Sequence, residues 1–567
     1  MADLEKMRRY DAVAIADHYR FRLLTVLWRA LSVALMLGSF VIGLLLDRAL
    51  GRKEINESRR ATQLRKILTD LGPTFIKVGQ ALSTRPDLVN PKFLDELIKL
   101  QDQLPPFDSQ VAQWIIEKEL GRTPDEVYSY ISPEPVAAAS LGQVYKARLY
   151  TGEEVAVKVQ RPGLVPIICR DLYLMRWAAG WIAPWLPLNL GHDLTLIVDE
   201  FGSKLFEEID YLNEGRNAEA FAANFSGDPK VKVPAIYWRY TSTRVLTLEW
   251  IDGLKLTDID RVRAAGLDSD ELVTIGVSSG LRQLLEFGFF HADPHPGNLF
   301  AMRNGTMAYI DFGMMDQLSQ EMKETLVDSV VHLINQEYDK LANDFVKLGF
   351  LTPDVDVRPI VPALQAVFDG AIGESVGDFN FKSITDKFSE VMYEYPFRVP
   401  AKFALIIRSL VTQEGLALTL NPDFKIVEIA YPYVARRLLM GETESLRARL
   451  IEVLFKDGRF QWQRLENMIR IAQSDQGFNL IPTAGLGMQF LMSDEGQYLR
   501  QQILAALTED NRLHTEEVAR LWALIKDDLQ PEQIFGAAWS ALADFSKNQA
   551  AALVPAELTS VLSGNGR

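Results

Sequence analysis

Residues 291–298 read His-Ala-Asp-Pro-His-Pro-Gly-Asn, and residues 311–313, a short distance further on, read Asp-Phe-Gly. Two apolar runs, 299–302 and 307–310, lie between these motifs, and an Asn-Gly pair lies between the runs. An Asn-Gly pair between two apolar runs predicts a β-hairpin closed by a two-residue type I′ turn. Such a hairpin would return the second motif to the side of the first.

The spacing of the polar residues in the two motifs indicates phosphoryl transfer. Asp293 and Asn298 are five residues apart, as in the protein-kinase catalytic loop, and Asp311 opens the Asp-Phe-Gly triplet. In that pattern the first Asp orients the attacking hydroxyl or water, while the Asn and the second Asp hold the Mg²⁺ that bridges the nucleotide phosphates. Each motif alone is common, but in this order and spacing they predict a site for ATP or ADP with Mg²⁺.

A kinase-type site also needs a strand lysine upstream, and Lys158 is the candidate. It ends a Val-Ala-Val-Lys sequence in the second of two strand-like runs, 144–149 and 155–159, which a Gly-Glu-Glu turn separates. In isolation this tetrapeptide fits a lysine on an exposed strand edge better. The downstream motifs favour the phosphate-binding interpretation.

An acidic partner for this lysine is expected on a helix. Apolar residues recur at steps of three and four from Leu194 to Leu212, which predicts one long amphipathic helix. An acidic helix face is usually only a solvated face, so the pattern alone singles out no carboxylate. The acidic residues on this face are Glu207, Glu208, Asp210 and Glu214.

The loop expected to cover the phosphates is rich in alanine. The G-x-G-x-x-G-x-V frame falls on Ala137, Ala139, Gly142 and Val144, so alanine replaces two of three glycines. Each added methyl group restricts positive φ and keeps backbone amides away from the phosphates. We therefore expect a phosphate grip unlike that of an ordinary protein kinase. Without the surrounding motifs, the run of small residues fits plain packing equally well.

Together these motifs resemble the UbiB (AarF) family of atypical kinases, also called activity-of-bc-one kinases, over residues 64 to 439. Residues 77–80, Lys-Val-Gly-Gln, match the family's K-x-G-Q motif. The resemblance implies an α+β, protein-kinase-like bilobal fold, with a small β-rich N-lobe, a helical C-lobe and helical extensions at both ends. Proteobacterial members often end in a hydrophobic helical pair. This chain has none, so we expect it to be closer to the cyanobacterial or plastid-type branch.

The resemblance also assigns a regulatory set of residues. Lys77, Gly79 and Gln80 would lie on a helix that covers the active site, where a protein substrate would otherwise dock. Glu208 and Asp210 would interact with that helix.

The catalytic and nucleotide-binding residues follow from the same resemblance. Glu214 would pair with Lys158, Asp293 would act as catalytic base, and Asn298 and Asp311 would bind the metal. The adenine-binding hinge is expected near residues 248–253. The residues expected to contact the nucleotide are Ala137, Ala138, Ala139, Ser140, Gly142, Val144, Lys158, Glu214, Glu249 and Ile251.

Members of this family are linked to isoprenoid-quinone and other prenyl-lipid metabolism, with ATP hydrolysis better supported than phosphorylation of a protein. The resemblance implies an atypical kinase or ATPase on the cytoplasmic face of a thylakoid or plasma membrane. Expected partners are membrane lipid, a prenyl-quinone or its precursor, and lipid-biosynthesis enzymes. A true protein kinase and a nucleotide-binding scaffold are the rival hypotheses. Ala292 in place of the usual arginine, and the lack of an Ala-Pro-Glu motif, argue against activation-loop phosphorylation.

Length and charge set wider limits. The 567 residues allow several domains, and a net charge of −15 argues against a nucleic-acid partner. The single cysteine, Cys169, excludes an internal disulfide. The predicted parts are an N-terminal extension (1–63), a helical K-x-G-Q extension (64–130), an N-lobe (131–250), a C-lobe (251–440) and a C-terminal helical region (441–567).

Residues 30–46 carry no charge and would span about 25 Å as a helix, just short of a bilayer core of about 30 Å. A short membrane anchor, a helix in the membrane interface and a buried hairpin arm are the alternatives, and we favour membrane attachment. We expect a chain without residues 1–52 to leave the membrane and still bind nucleotide. A tryptophan stripe (Trp177, Trp181 and Trp185) and residues 478–492 are further candidates for lipid contact, although ordinary packing explains the stripe at least as well.

Overall fold

A computed structural model describes residue 4, residues 7–83, 89–100, 105–182, 194–372 apart from 293, 295 and 335, and shorter stretches between 395 and 466. Asp293, Trp185 and residues 478–492, all named above, lie outside the described residues.

Helices make up the N-terminal part of the chain. A hairpin of two antiparallel helices turns at Gly51, which has a φ of +66° that suits glycine. Pro73 occupies the first turn of the helix that follows the hairpin, where its missing N–H costs nothing. The helices are α1 (Ala12–Tyr19), α2 (Leu23–Ala49), α3 (Lys53–Leu71), α4 (Pro73–Leu82), α5 (Pro91–Ile98), α6 (Ser109–Leu120) and α7 (Pro124–Val127).

An antiparallel sheet follows, with β3 (Gly142–Leu149) and β4 (Glu154–Gln160) at its centre. β1 (Tyr128–Ile131) and the short β2 (Ala137–Ala138) pair with β3, and β6 (Val245–Glu249) pairs with β4. Alternating valines of β4 are fully buried in the core beneath α6, whereas Lys158 points to the other face. Lys158 lies opposite Val144 on β3 and Leu246 on β6, at the centre of the sheet.

Three helices follow the central strands: α8 (Leu164–Ile182), α9 (Leu194–Ile209) and α10 (Tyr211–Asn224). The predicted single helix from Leu194 to Leu212 is therefore wrong. Asp210 adopts an extended conformation and its carboxylate accepts a hydrogen bond from the N–H of Leu212, so it ends one helix and caps the next. An apolar stripe continues smoothly across such a break, which is why the periodicity concealed it.

A second small sheet carries the two acidic motifs. Its order is β5 (Val231–Lys232), β10 (Met307–Tyr309), β9 (Leu299–Met302) and β7 (Gly253–Lys255). β8 (Phe289–His291) pairs separately with β11 (Met315–Gln317), which ties the start of the first motif to the end of the second. Helices α11 (Ile259–Ala264) and α12 (Ser269–Arg282) contribute to the apolar cluster beneath this sheet.

The predicted hairpin of β9 and β10 is present, but its turn differs from the prediction. Of the turn residues only Gly305 has a positive φ, of +81°, whereas a type I′ turn needs a second one at Asn304. Gly305 donates to the carbonyl of Met302, and Met302 donates to the carbonyl of Thr306. The loop therefore has three residues and leaves the two strands in register.

The remaining helices of the described residues are α13 (Gln320–Ile334), α14 (Tyr338–Lys347), α15 (Val361–Ile372) and α16 (Ala401–Leu420), and β12 (Phe455–Lys456) pairs with β13 (Arg459–Phe460). The chain divides into two compact units. The first comprises residues 1–323, 342–367 and 380–424, and the second comprises 324–341, 368–379 and 425–567. All the predicted site residues belong to the first unit.

Two helices of the described part are long and apolar enough to cross a membrane, α2 and residues 402–420 of α16. In α2 only 11% of the most apolar window is buried, against 44% in α16. The uncharged run 30–46 therefore belongs to a 27-residue helix that is open on one side.

Candidate nucleotide and metal site

Lys158 lies between two carboxylates. Its Nζ donates to both carboxylate oxygens of Glu214 at 2.9 Å, and it lies 3.8 Å from Oδ1 of Asp311. The break between α9 and α10 places Glu214 on the first turn of α10, directly below the centre of the sheet. The structure thus brings together the predicted phosphate-binding lysine, its helix partner and the Asp of Asp-Phe-Gly.

The charges of this cluster are strongly coupled. Burial alone would lower the pKa of Lys158, but the carboxylates of Asp311 and Glu214 outweigh it and raise the pKa well above the ordinary value. Burial raises the pKa of Glu214 to about 7, against the attraction of Lys158. Asp311 is also desolvated, yet Lys158 and the N–H of Gly313 lower its pKa to about 2. Asp311 is therefore ionised at neutral pH, as a metal ligand must be.

Hydrogen bonds from three directions fix the Asp-Phe-Gly segment. The N–H of Gly313 donates to Oδ1 of Asp311 at 3.0 Å, and Nε2 of His291 lies 2.7 Å from the carbonyl oxygen of Asp311. Nδ2 of Asn217 donates to the carbonyl of Phe312 at 3.0 Å. The aromatic ring of Phe312 is buried against Phe221. The carboxylate of Asp311 is consequently held in place before any ligand arrives.

Asn298 and Asp311 fit a magnesium ion. Nδ2 of Asn298 lies 3.5 Å from Oδ2 of Asp311, because the N–H of Ile310 bonds to the carbonyl of Asn298 and closes the hairpin at its base. Carboxylate and amide oxygens suit Mg²⁺, which takes few protein ligands and fills its shell with water and phosphate oxygens. The described residues hold no group of three or more His, Cys, Asp or Glu side chains with metal spacing. A Mg²⁺ here would therefore depend on nucleotide phosphates.

The alanine loop is tightly closed. Ala137 and Ala138 form β2 against Val144 and Gln143, and the N–H of Ala139 donates to the carbonyl of Gly142 at 2.8 Å. Nε of Arg161 donates to the carbonyl of Ala139, and Ser140 is fully buried. An amide used in this way is not free to bind phosphate.

Gly142 is the one glycine that the loop keeps from the usual frame, and the structure explains why. A Cβ atom at this position would lie 2.3 Å from the hydroxyl of Tyr211 and 2.6 Å from the carbonyl oxygen of Val159. The second neighbour is backbone and cannot move aside cheaply. Alanine is tolerated at the other two positions of the frame but not at this one.

The adenine base is expected to bind at the end of β6. The N–H groups of Glu249 and Trp250 already bond to the carbonyls of Ala235 and Glu154, and the carboxylate of Glu249 pairs with Lys232 at 2.7 Å. Ile251 is buried, and its N–H bonds to no residue that the structure describes. The amide of Ile251 is thus the better candidate for adenine, while Glu249 is held by its own partners.

Helix α4 reaches the site through one ion pair. Nζ of Lys77 donates to Glu208 at the end of α9, and both side chains are largely buried. The side chain of Glu208 also lies against Gly313, where an added Cβ would be 3.5 Å from its Cγ. Lys77 contributes to the lowered pKa of Asp311. The K-x-G-Q helix is therefore connected to the segment that carries Asp311 through Glu208 and Gly313.

The other members of the regulatory set contact residues close to them in the fold. Asp210 caps α10 and forms no hydrogen bond or ion pair with α4, a helix that the structure describes completely. Gly79 allows a close approach, but to Leu100 and Leu68 of the N-terminal helices and not to the lobe beneath. Nε2 of Gln80 donates to the carbonyl of Leu100. Gly79 and Gln80 therefore hold α4 to its own neighbours, and Lys77 and Glu208 make its link to the site.

Sequence reasoning missed Tyr211, Asn217 and the role of Gln283. Tyr211 packs its ring 5.1 Å from Nζ of Lys158, and Asn217 follows Glu214 by one helical turn on the same side of α10. Oε1 of Gln283 accepts from the N–H of His291. Only Asn217 had a sequence signal, its i+3 spacing from Glu214.

Comparison with known proteins agrees with this architecture. Residues 99–345 match the family model of the ABC1 atypical kinase-like domain, and residues 364–425 match that of the UbiB helical domain. Protein slr1919 of Synechocystis sp. is 65% identical over 98% of this chain and 98% of its own length. ACTIVITY OF BC1 COMPLEX KINASE 1, chloroplastic, of Arabidopsis thaliana is 48% identical over 88% of this chain and 76% of its own.

The chain belongs to the ABC1/UbiB family of atypical kinases. The predicted family, its cyanobacterial and plastid-type branch and the α+β kinase-like fold are confirmed. Among solved structures, the complex of Rv3197 with erythromycin from Mycobacterium tuberculosis is 26% identical, with a TM-score of 0.45 over 69% of this chain and 98% of that one.

Proposed function

We propose that this protein binds Mg–ATP at Lys158, Asn298 and Asp311 and transfers or hydrolyses its terminal phosphoryl group. The observation that carries the proposal is the arrangement of Lys158 between Glu214 and Asp311, with Asn298 beside the second carboxylate. A lysine held by a helix glutamate, next to an ionised Asp-Phe-Gly aspartate, is the arrangement that places nucleotide phosphates and Mg²⁺ in kinases. Asp293 is proposed as the catalytic base from its position in the motif.

Each residue of the site has a chemical task in this proposal. Lys158 neutralises phosphate charge, and Glu214 keeps its ammonium group directed toward the phosphates. Asp311 and Asn298 would hold Mg²⁺, which supplies charge neutralisation at the phosphoryl group when bound. Hydrogen bonds from Gly313 and His291 keep Asp311 in place, so little reorganisation is needed when the nucleotide binds.

Small-molecule or water acceptors are favoured over protein substrates. Helix α4 lies over the Asp-Phe-Gly segment through Lys77 and Glu208, where the docking surface of a protein substrate would begin.

We further propose that the acceptor or regulator is a prenyl-quinone, its precursor or another prenyl lipid at a membrane. The support is the family resemblance and the exposed apolar helix α2. Relatives named as chloroplastic support a thylakoid-related location.

Asp311→Asn tests the phosphoryl-transfer site. The variant should lose ATP turnover by at least about a hundredfold, because the amide supplies no negative charge to Mg²⁺. Asp354→Asn, at an exposed position in the same unit, is the matched control and should keep wild-type turnover. Normal turnover by Asp311→Asn would contradict the proposed site.

Turnover by the wild type in liposomes with and without a prenyl-quinone tests whether a prenyl lipid is the acceptor or regulator. Phosphate found on added protein substrates would instead favour the hypothesis of a true protein kinase.

A further inference from the structure

Helix α2 has two unlike faces along its whole length. Its inner face packs Phe40 and neighbouring apolar residues into the cluster formed with α3, α4 and α5. Its outer face consists of large apolar residues at helical spacing, each more than half exposed: Leu24, Trp28, Leu31, Leu35, Ile42 and Leu46. A stripe of this length open to solvent is larger than scattered surface leucines and marks an interaction surface.

Ion pairs attach the inner face near both ends of the helix. Arg29 donates through Nε and Nη2 to the fully buried carboxylate of Asp171 on α8, at 2.9 and 2.8 Å, and Nη2 also bonds to the carbonyl of Leu71 at the end of α3. Near the other end, Asp47 accepts from Arg60 at 2.6 Å and from Asn56 at 2.7 Å, both on α3. α2 therefore lies against α3 and α8 from Arg29 to Asp47, about 27 Å at 1.5 Å per residue.

This attachment is incompatible with a helix that crosses a bilayer. If α2 spanned the membrane in this conformation, the antiparallel α3 would enter the hydrocarbon beside it. Eight of the nineteen residues of α3 are Lys, Arg, Asp or Glu. Charged side chains are costly at the bilayer centre, and a buried Arg29–Asp171 pair would have to enter with them. Only the outer face of α2 can enter an apolar phase while its inner contacts remain.

The charge near α2 identifies the surface that it fits. Residues 1–60 hold eleven Lys and Arg against seven Asp and Glu, although the whole chain has a net charge of −15. Exposed arginines lie at both ends of the helix, Arg20 and Arg22 before it, Arg48 in its last turn and Arg52 after it. An apolar stripe with basic residues at both ends is typical of a helix that lies in the interface of an anionic membrane.

We propose that α2 lies in the plane of an anionic lipid surface, with its outer face among the acyl chains and its flanking arginines at the headgroups. The helix docks the whole N-terminal helical part onto the membrane as a peripheral element. This inference rests on the membrane part of the proposed function and is independent of the nucleotide chemistry. It replaces two of the alternatives for residues 30–46, the spanning anchor and the buried hairpin arm.

Deleting residues 1–52 is not a clean test, contrary to the expectation from the sequence. Ile15 and Tyr19 of α1 are buried in the cluster formed by α8 and α9, and Arg29 is the partner of the buried Asp171. The truncated chain would expose both the cluster and the carboxylate. Point variants on the outer face leave these contacts intact.

Label depth distinguishes a helix in the plane from one that spans. Leu24, Leu35 and Leu46 are eleven residues apart on one face, so each is replaced by a spin-labelled cysteine in a full-length Cys169→Ala background. On vesicles of phosphatidylcholine with 30% phosphatidylglycerol, all three labels should reach the same depth, about 5–10 Å below the headgroups. A label at Tyr130→Cys, on β1, should stay in water. A label at position 35 much deeper than those at 24 and 46, or labels that all remain in water, would overturn the proposal.

Affinity for the same vesicles gives the second test. The triple variant Leu24→Glu, Leu35→Glu, Leu46→Glu should bind about tenfold or more weakly, since three buried side chains are lost. The matched control adds the same charge at exposed residues elsewhere, with Trp114→Glu, Tyr130→Glu and Tyr150→Glu, and should change affinity less than about twofold.

Two results would contradict lipid docking. The first is a triple variant that binds vesicles as tightly as the wild type. The second is a wild-type protein that is a dimer without lipid and that the same substitutions convert to a monomer, because the outer face would then be covered by a second copy. Nucleotide titration of the triple variant should match the wild type in every case. If the wild-type protein binds no nucleotide, that result would therefore contradict the proposed function and leave the docking of α2 untouched.

Discussion

The state of Glu214 determines how Lys158 presents its charge. Burial raises the pKa of Glu214 to about 7, so a substantial fraction is protonated at pH 6 and most is ionised at pH 8. Only the ionised form accepts hydrogen bonds from Lys158 through both oxygens. The lysine is therefore better positioned for phosphate above pH 7 than below it.

We expect the affinity for Mg–ATP to rise by about three- to tenfold from pH 6 to pH 8, with a midpoint near the pKa of Glu214. The terminal phosphate also titrates near pH 6, so Glu214→Gln is the control that separates the two effects. Calorimetric titration at several pH values should show a weaker affinity for the variant, and a flatter pH dependence. An equally steep dependence in Glu214→Gln would remove Glu214 as its cause.

Tyr211 is buried in an unusual way. Its hydroxyl group has no hydrogen-bond partner among the described residues, and it lies against Gly142 beneath the alanine loop. A buried hydroxyl without a partner costs roughly 1–3 kcal/mol. Since Lys158 lies over the same ring, we infer that a phosphate oxygen or the rearranged loop satisfies this hydroxyl when nucleotide binds.

Tyr211→Phe should therefore have opposite effects on the two states. The free energy of unfolding without ligand should rise by about 1 kcal/mol, because an unsatisfied polar group is removed. The affinity for Mg–ATP should fall by about fivefold, because phenylalanine cannot form the hydrogen bond that the hydroxyl would gain in the nucleotide complex. Denaturant unfolding with and without nucleotide measures both, and a variant that is destabilised in both states would show that the hydroxyl has a structural partner.

Among single residues, the motifs and the family resemblance predicted the ion pair of Lys158 with Glu214 and the proximity of Asn298 to Asp311. The short hairpin brings Asn298 near Asp311, whereas the pairing of Glu214 with Lys158 came only from the family resemblance, because the helix pattern singles out no carboxylate. The sequence missed Tyr211 and the helix-capping role of Asp210. A residue that acts through its backbone conformation, such as a helix cap, leaves no trace in hydrophobic periodicity.

Among the elements, α4 links the N-terminal helices to the candidate site. Lys77 pairs with Glu208, whose side chain lies against Gly313, while Gly79 on the opposite side packs against Leu100 and Leu68. A Cβ at position 79 would lie 2.2 Å from Leu100, so the leucines must move or α4 must shift toward the lobe. Any such shift changes the position of Lys77 and hence of the Asp-Phe-Gly segment.

Gly79→Ala should lower the free energy of unfolding by roughly 1–2 kcal/mol and alter ATP turnover. The matched control is Gly38→Ala, in the interior of α2, where an added Cβ meets nothing within 4 Å. That variant should gain up to about 1 kcal/mol from helix propensity and keep wild-type turnover. Thermal unfolding and turnover of the two variants test the comparison. A stabilised Gly79→Ala with normal turnover would show that α4 is not tightly held.

The elements themselves were largely predictable, because β3, β4 and the β9–β10 hairpin carry clear strand patterns. Two boundaries were not. The break at Asp210 and the three-residue turn at Gly305 both depend on the φ and ψ angles of a single residue, which tertiary contacts select. Helix α2 proved longer than its uncharged run, since charged residues at helix ends are compatible with helix.

For the molecule as a whole, family membership and the kinase-like fold were predictable from motif order, and the matches over residues 99–345 and 364–425 confirm them. The five-part division of the chain stays a prediction. The use of α2 could not be predicted from hydropathy alone, because a spanning helix and an in-plane helix have similar composition. Only the ion pairs on its inner face separate the two.

Titration of ATP into the full-length wild-type protein tests the proposed magnesium-dependent nucleotide site. With Mg²⁺ we expect saturable binding at one site, and with EDTA in place of Mg²⁺ we expect the affinity to fall by about tenfold or more, because Asp311 and Asn298 then lack the ion that joins them to the phosphates. Lys158→Met should weaken binding in both conditions. Equal affinity with Mg²⁺ and EDTA, or no binding in either condition, would show that this chain has no magnesium-dependent nucleotide site.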